Sequence, residues 1–201
     1  NLAMFFDQEG NLIKTFGERG TGPGQCISPL GIRADTQGRL WIAEEGNCRI
    51  DIVDSEGVWL FSTGECGEAP DQFLNPHEIR FYNDMAFLTD SSQNTIKGYD
   101  MAGHFLREFG GEVHDPSLRS LGELAIDAAG RVFVADEKNS RIVVFDQEGE
   151  LLYTIGRQGT GLDEFVDDVE GLGFDSAGRL FALNEKGGWI SVFTSEGQLL
   201  A

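Results

Sequence analysis

An all-β fold, a β-propeller of four-stranded blades, is what this sequence predicts, on three observations. A five-residue segment, Phe6-Asp7-Gln8-Glu9-Gly10, returns as Val53-Asp54-Ser55-Glu56-Gly57, Tyr99-Asp100-Met101-Ala102-Gly103, Phe145-Asp146-Gln147-Glu148-Gly149 and Phe193-Thr194-Ser195-Glu196-Gly197, once in about every 46 residues. A second series of D-x-x-G turns interleaves with it at Asp35–Gly38, Asp127–Gly130 and Asp175–Gly178, with Tyr82-Asn83-Asp84-Met85 at the corresponding place in the second repeat. Short runs rich in Val, Ile, Leu, Phe and Trp lie between these turns, and no helical period competes with them.

Each element follows from those marks. A D-x-x-G between two β-forming runs reads as a hairpin, the glycine taking the positive φ that the turn requires. Two hairpins per repeat make four strands, and a unit of that size cannot bury both of its faces alone, so radial stacking is the expected solution. The chain therefore reads as one propeller domain, 1–201, of about 4.4 repeats. The parts are a half-blade at 1–25, blades at 26–72, 73–120 and 121–165, and a nearly whole blade at 166–201.

Composition narrows the function. The chain is 40% hydrophobic and 24% charged, as globular proteins are, and Lys+Arg 15 against Asp+Glu 34 leaves a net charge of −19. Such a field repels phosphate backbones and anionic lipid, so nucleic acid is not an expected partner. No apolar run reaches membrane-spanning length, so membrane insertion is not expected either. No basic-then-apolar leader opens the chain, which starts at Asn1 and so fits a trimmed one. The nucleophile elbow, P-loop and dinucleotide fingerprint are absent. A protein, peptide or small-molecule ligand remains.

Turns after the first and third strands share one face and are monotonous. The other face carries the connections 17–28, 64–75, 110–120 and 156–169 and the turns 44–48, 90–94, 136–140 and 184–188, which vary in length and chemistry. Variable loops on a rigid scaffold are where sites are placed. The four first strands open there with Pro29-Leu30-Gly31-Ile32-Arg33, Pro76-His77-Glu78-Ile79-Arg80, Leu121-Gly122-Glu123-Leu124-Ala125 and Val169-Glu170-Gly171-Leu172-Gly173. Of these, His77, Glu78, Glu123 and Glu170 exceed what the repeat needs, and they converge on the channel mouth from three successive blades.

His77, Glu123 and Glu170 are thus candidate ligands for zinc or calcium, with a wet acidic channel as the alternative. Arg33 and Arg80 are candidates to clamp an anionic ligand or to form an ion network with Glu78 and Glu123. Glu78 as base and Arg80 as clamp are the catalytic candidates. The recurring Glu44, Asp90, Asp136 and Asn184 read as structural groups at strand ends, Asp163–Glu170 as a solvated acidic loop, and His104 and His114 as surface residues. Cys26 and Cys48 open a first strand and follow a second strand of one blade, so their ends could meet in a disulfide or stay free.

With Asn47-Cys48-Arg49-Ile50, Gln93-Asn94-Thr95-Ile96 and Asn139-Ser140-Arg141-Ile142 leading into the third strands, the chain resembles the NHL-repeat propellers along its length. That resemblance implies a binding module, commonly six-bladed; a closed five-bladed ring joined through its ends, or one completed by subunits, is the alternative. Gln25-Cys26-Ile27-Ser28-Pro29, Gly46-Asn47-Cys48-Arg49-Ile50 and Asn75-Pro76-His77 are similar to the propeller of peptidyl-α-hydroxyglycine α-amidating lyases. This second resemblance implies a Cys26–Cys48 disulfide, an extracytoplasmic or secreted location, His77 as a zinc ligand and a metal-dependent lyase or hydrolase. Glu170 stands where that family has a further His, and Glu45, Gly46 and Asn47 occupy the stretch of its catalytic Tyr.

Overall fold

A computed structural model describes residues 3–111 and 115–201, which form seventeen strands in five antiparallel sheets. β1 (Ala3–Phe6) and β2 (Leu12–Phe16) pair alone. The first full blade is β3 (Pro29–Ala34), β4 (Leu40–Glu44), β5 (Arg49–Val53) and β6 (Trp59–Thr63). The second is β7 (Pro76–Tyr82), β8 (Met85–Asp90), β9 (Thr95–Asp100) and β10 (Phe105–Gly110). The third is β11 (Leu121–Ile126), β12 (Val132–Asp136), β13 (Arg141–Phe145) and β14 (Leu151–Ile155). β15 (Val169–Phe174), β16 (Leu180–Asn184) and β17 (Trp189–Phe193) follow. Leu200 N–H donates to the Val192 carbonyl at 2.7 Å, so the C-terminal residues pair with β17 rather than with β1 or β2. The five-bladed closure through paired ends is therefore not formed.

Within a blade the strands run in sequence order, and β3, β7, β11 and β15 neighbour one another in succession along the inner edge. The cores lie between blades. Trp41, Ile50, Phe73, Ile79 and Leu88 fill the first interface, Phe87, Phe109, Leu124, Val134 and Phe145 the second, and Phe133, Ile155, Phe165, Leu172 and Phe193 the third.

The turns explain the glycine repeat. Asp35 Oδ1 accepts the N–H groups of Gln37 and Arg39, both at 2.9 Å, while Oδ2 takes the Arg39 Nε at 2.7 Å; Asp127 with Arg131 and Asp175 with Arg179 repeat the pattern. In the turns between third and fourth strands the glycine also meets the preceding blade. A Cβ at Gly103 would lie 2.7 Å from Phe61, and one at Gly149 2.4 Å from Phe109, at φ values of +85° and +94°. Only a residue without a side chain fits beneath that fourth strand. In the second blade Asn83, at φ 51°, replaces the glycine of the first hairpin.

Candidate functional site

On the variable face one strut recurs. The residue closing each second strand, Glu44, Asp90, Asp136 or Asn184, is fully buried. Asp90 accepts N–H groups from Leu74 at 2.7 Å and Asn75 at 3.2 Å in the incoming connection, and from Ser92 at 3.1 Å and Gln93 at 3.0 Å in the following turn. Asp136 ties Arg119 to Asn139 and Arg141 in the same way. These acids staple loops to the sheet, where unpaired N–H groups would be costly.

Glu44 belongs to a larger buried group. Its ligand atoms and those of Cys26 and Asp51 lie within 4.8 Å of one another, the one such group among the described residues. Arg49 Nε is 3.0 Å from Asp51 and 3.5 Å from Glu44, and Ser62 Oγ donates to Asp51 at 2.5 Å. Burial, with a hydrogen bond to Asp51, pushes the Glu44 carboxyl up to about 7, and burial pushes the Cys26 thiol up to about 11. The Arg49 guanidinium lies beside both carboxylates and balances part of their charge.

The cysteines correct the expected pairing. Cys48 is bonded to Cys66, with Cα atoms 4.9 Å apart, and Cys26 is buried and free. The reason is backbone direction. Cys48 sits at φ 50° closing a short 3₁₀ turn, Glu45–Asn47, beside the connection that carries Cys66, whereas Cys26 is drawn into a parallel bridge with Arg19.

Along three neighbouring first strands the structure gathers Arg33, Glu78, Arg80 and Glu123. Glu78 Oε1 accepts from the Ile79 N–H at 3.0 Å and from Arg80 Nη1, forms an ion pair with Arg33 Nη2 at 2.9 Å, and Arg80 Nη2 reaches Glu123 at 3.8 Å. Glu78 is buried, and burial, aided by the field of Arg33, pushes the Arg80 guanidinium down to about 10. Both arginines also donate to the carbonyl of the residue before them, at 2.8 and 2.9 Å. The set is a charge-matched network in which each guanidinium has an anion.

His77 is half-buried with an Nδ1 that has no partner, and Glu170 is exposed. Glu137, which the sequence reading passed over, joins them: its carboxylate lies over Gly122, where a Cβ would come within 1.8 Å, and accepts from Ser120 Oγ at 2.8 Å. Burial raises its pKa, with the carboxylates of Glu170 and Asp168 adding to the rise and His77 opposing it. The signal for Glu137 was its recurrence with Glu45 and Glu185 at the first position of the turn. Among the described residues the ligand atoms of His77, Glu123 and Glu170 do not gather within 4.8 Å of one another, and Glu123 faces Arg80.

Other expectations have plain positions. His104 is exposed in the turn after β9, its Nδ1 2.9 Å from Asp100, while His114 lies outside the described residues. In the acidic loop Asp167 pairs with Lys186 and Asp168 with Lys138 at 3.2 Å, and Glu164 accepts from Thr160 and Gly161 N–H. No helix among the described residues is long and apolar enough to cross a membrane.

A family model described as a 6-bladed beta-propeller matches residues 117–195. The protein named brain tumor of Drosophila melanogaster is 33% identical over 144 residues, covering 70% of this chain and 14% of that protein. NHL repeat-containing protein 3 of Homo sapiens is 26% identical over 154 residues, covering 76% of this chain and 39% of that protein. This chain belongs to the NHL-repeat β-propellers. Among solved structures, virginiamycin B lyase from Staphylococcus aureus with quinupristin superposes on 100% of this chain and 62% of its own, with a TM-score of 0.75 and 14% identity. At that identity the likeness is one of fold. The NHL propeller described here thus spans well under half the length of the curated relatives it matches.

Proposed function

We propose that this NHL propeller is an interaction module that presents a site for a protein partner on its variable-loop face, around the channel mouth bordered by His77, Glu78, Arg80, Arg33, Glu123 and Glu170. The observation that carries this reading is the contrast between the two faces. On one, every D-x-x-G aspartate is consumed by its own turn. On the other, loops of different sequence are each pinned by buried polar groups, so each is pre-organised at little entropic cost to binding. The paired ion network supports recognition over catalysis, because Glu78 already holds two guanidinium groups and is no free base. A disulfide-bonded chain fits an oxidising, extracytoplasmic compartment.

The test is comparative capture. Partners cross-linked to the wild-type protein are quantified against Glu123→Lys and Glu170→Lys, with Gln37→Lys on the opposite face as the control. Loss of the same partner with both mouth variants and its retention with the control is the expected result. Retention of every partner by both mouth variants would place the site elsewhere.

A further inference from the structure

The connection between β6 and β7 is tied down at many points and is acidic. Cys66 is bonded to Cys48, Gln72 donates to Glu65 at 2.9 Å, and Gln93 donates to the Gly67 carbonyl at 2.8 Å. The buried Lys97 and Tyr99 of β9 donate to the carbonyls of Pro70 at 2.9 Å and Asp71 at 3.1 Å. These ties leave the exposed carboxylates of Glu68 and Asp71 without an ion pair among the described residues.

Beside this segment lies a cleft of about 720 Å³, within the range of ligand sites. Glu68 and Glu108 stand on its walls, Leu74 and Phe105 give it apolar surface, and among the described residues no Lys or Arg lines it. Lys97, which neutralises Glu108, is fully buried and does not reach the cleft. Thr95 also lines the cleft; it is 5% exposed and its Oγ1 has no hydrogen-bond partner. A second groove of about 300 Å³, lined by Glu65 and Asp71, shares Phe105 with the first.

We propose that this cleft at the rim of the second blade binds an extended, lysine- or arginine-bearing segment of a partner protein. A basic segment matches both parts of the lining: the methylene stem of one long side chain lies on Leu74 while its head sits beside Glu68 and Thr95, and a neighbouring apolar residue of the segment meets Phe105. The net charge of −19 draws such a segment in, and the pinned loop loses little freedom when it binds. The inference rests on the chain being an interaction module, and not on the channel mouth being its site.

The probe is a fluorescein-labelled nonapeptide of alternating lysine and threonine, titrated by anisotropy at 100 mM salt, with the glutamate–threonine peptide as control. Saturable binding of the basic peptide is expected, weakened about tenfold by Glu68→Lys and about threefold by Thr95→Val, because a like charge in the cleft repels and a methyl accepts no hydrogen bond. Glu170→Lys makes the same charge change at the channel mouth and is expected to weaken it less than about twofold. Equal weakening by the two charge reversals, indifference to Glu68→Lys, equal displacement by spermidine at matched charge, or no saturable binding would each overturn the cleft. Loss confined to Glu170→Lys would do so while upholding the mouth. Glu68 is exposed, so its variant stays folded and decides the matter if Thr95→Val does not.

Discussion

Replacing Asp90 with asparagine changes one atom, and the structure says what that atom does. Asp90 is fully buried and receives four backbone N–H groups and no cation: three converge on Oδ1, and Leu74 N–H meets Oδ2 at 2.7 Å. Asparagine keeps Oδ1 but turns an NH₂ toward the Leu74 N–H, so one bond to a charged acceptor, worth roughly 1.5–3 kcal/mol, becomes a donor facing a donor. The three remaining bonds weaken as the acceptor loses its charge, while the lower cost of burying a neutral amide offsets part of the loss. A net destabilisation of about 3 kcal/mol is expected, which for a domain of this size lowers Tm by roughly 6–12 °C. The fourth blade supplies the control. There Asn184 Oδ1 accepts from Val166 and Gly187 N–H, and Nδ2 donates to the Glu164 carbonyl at 3.2 Å, so the amide has a partner for its NH₂. Asn184→Asp should be destabilising in its turn, with a carboxylate set against that carbonyl. Urea unfolding of both variants measures this. A loss below about 0.5 kcal/mol for Asp90→Asn would refute the strut as described.

Three further outcomes are expected. Gly149→Ala should cost about 3 kcal/mol or more, because Cβ meets Phe109, whereas Gly178→Ala, at φ +76° with nothing within 4 Å, should cost only the backbone strain of about 1 kcal/mol; paired thermal melts compare them. Thiol titration should find no reactive cysteine in the native protein, one in denaturant and three after reduction, and Cys66→Ser should cost about 3 kcal/mol by urea unfolding for a bridge 18 residues apart. A peptide map showing Cys26 bonded to Cys48 would contradict this. Glu44, raised in the folded state to about 7 from an ordinary 4.5, keeps a proton that the unfolded chain loses, so its contribution to stability should fall as pH rises from about 4.5 to 7 and be flat above. Unfolding midpoints across that range, with Glu44→Gln lacking the decline, check the sign.

Blade architecture was legible in the sequence because the same turn chemistry recurs about every 46 residues, and a turn announces itself through local residues such as Asp127 and Gly130. The reading of Asp90 and Asp136 as structural also rested on recurrence, and their buried hydrogen bonds agree with it. Contacts between blades were less visible. Arg33 and Arg80 could be placed at the same position of adjacent blades, with Glu78 on the same strand face as Arg80, but whether the arginines were free or paired depends on distances across three strands. The disulfide was misassigned for a related reason: Cys48 lies between two cysteines at similar separations, and only the left-handed backbone at Cys48 directs it to Cys66. The rim cleft left no mark at all, since Thr95 and Glu68 become neighbours only after the connection has folded back on β9.

The glycine that closes each third-to-fourth hairpin sits under a residue of the blade before it: Gly57 under Phe16, Gly103 under Phe61, Gly149 under Phe109 and Gly197 under Ile155. A blade excised from first strand to fourth would therefore carry half of each of two joints. The segment that can be exchanged between such proteins without a mismatch runs from one of these fourth strands to the hairpin beneath it, and so straddles two sheets. Chimaeras cut inside a sheet, between the glycine of its third-to-fourth hairpin and the contacting residue of its fourth strand, as between Gly103 and Phe109, should preserve the fit that cuts at the visible blade boundary would break.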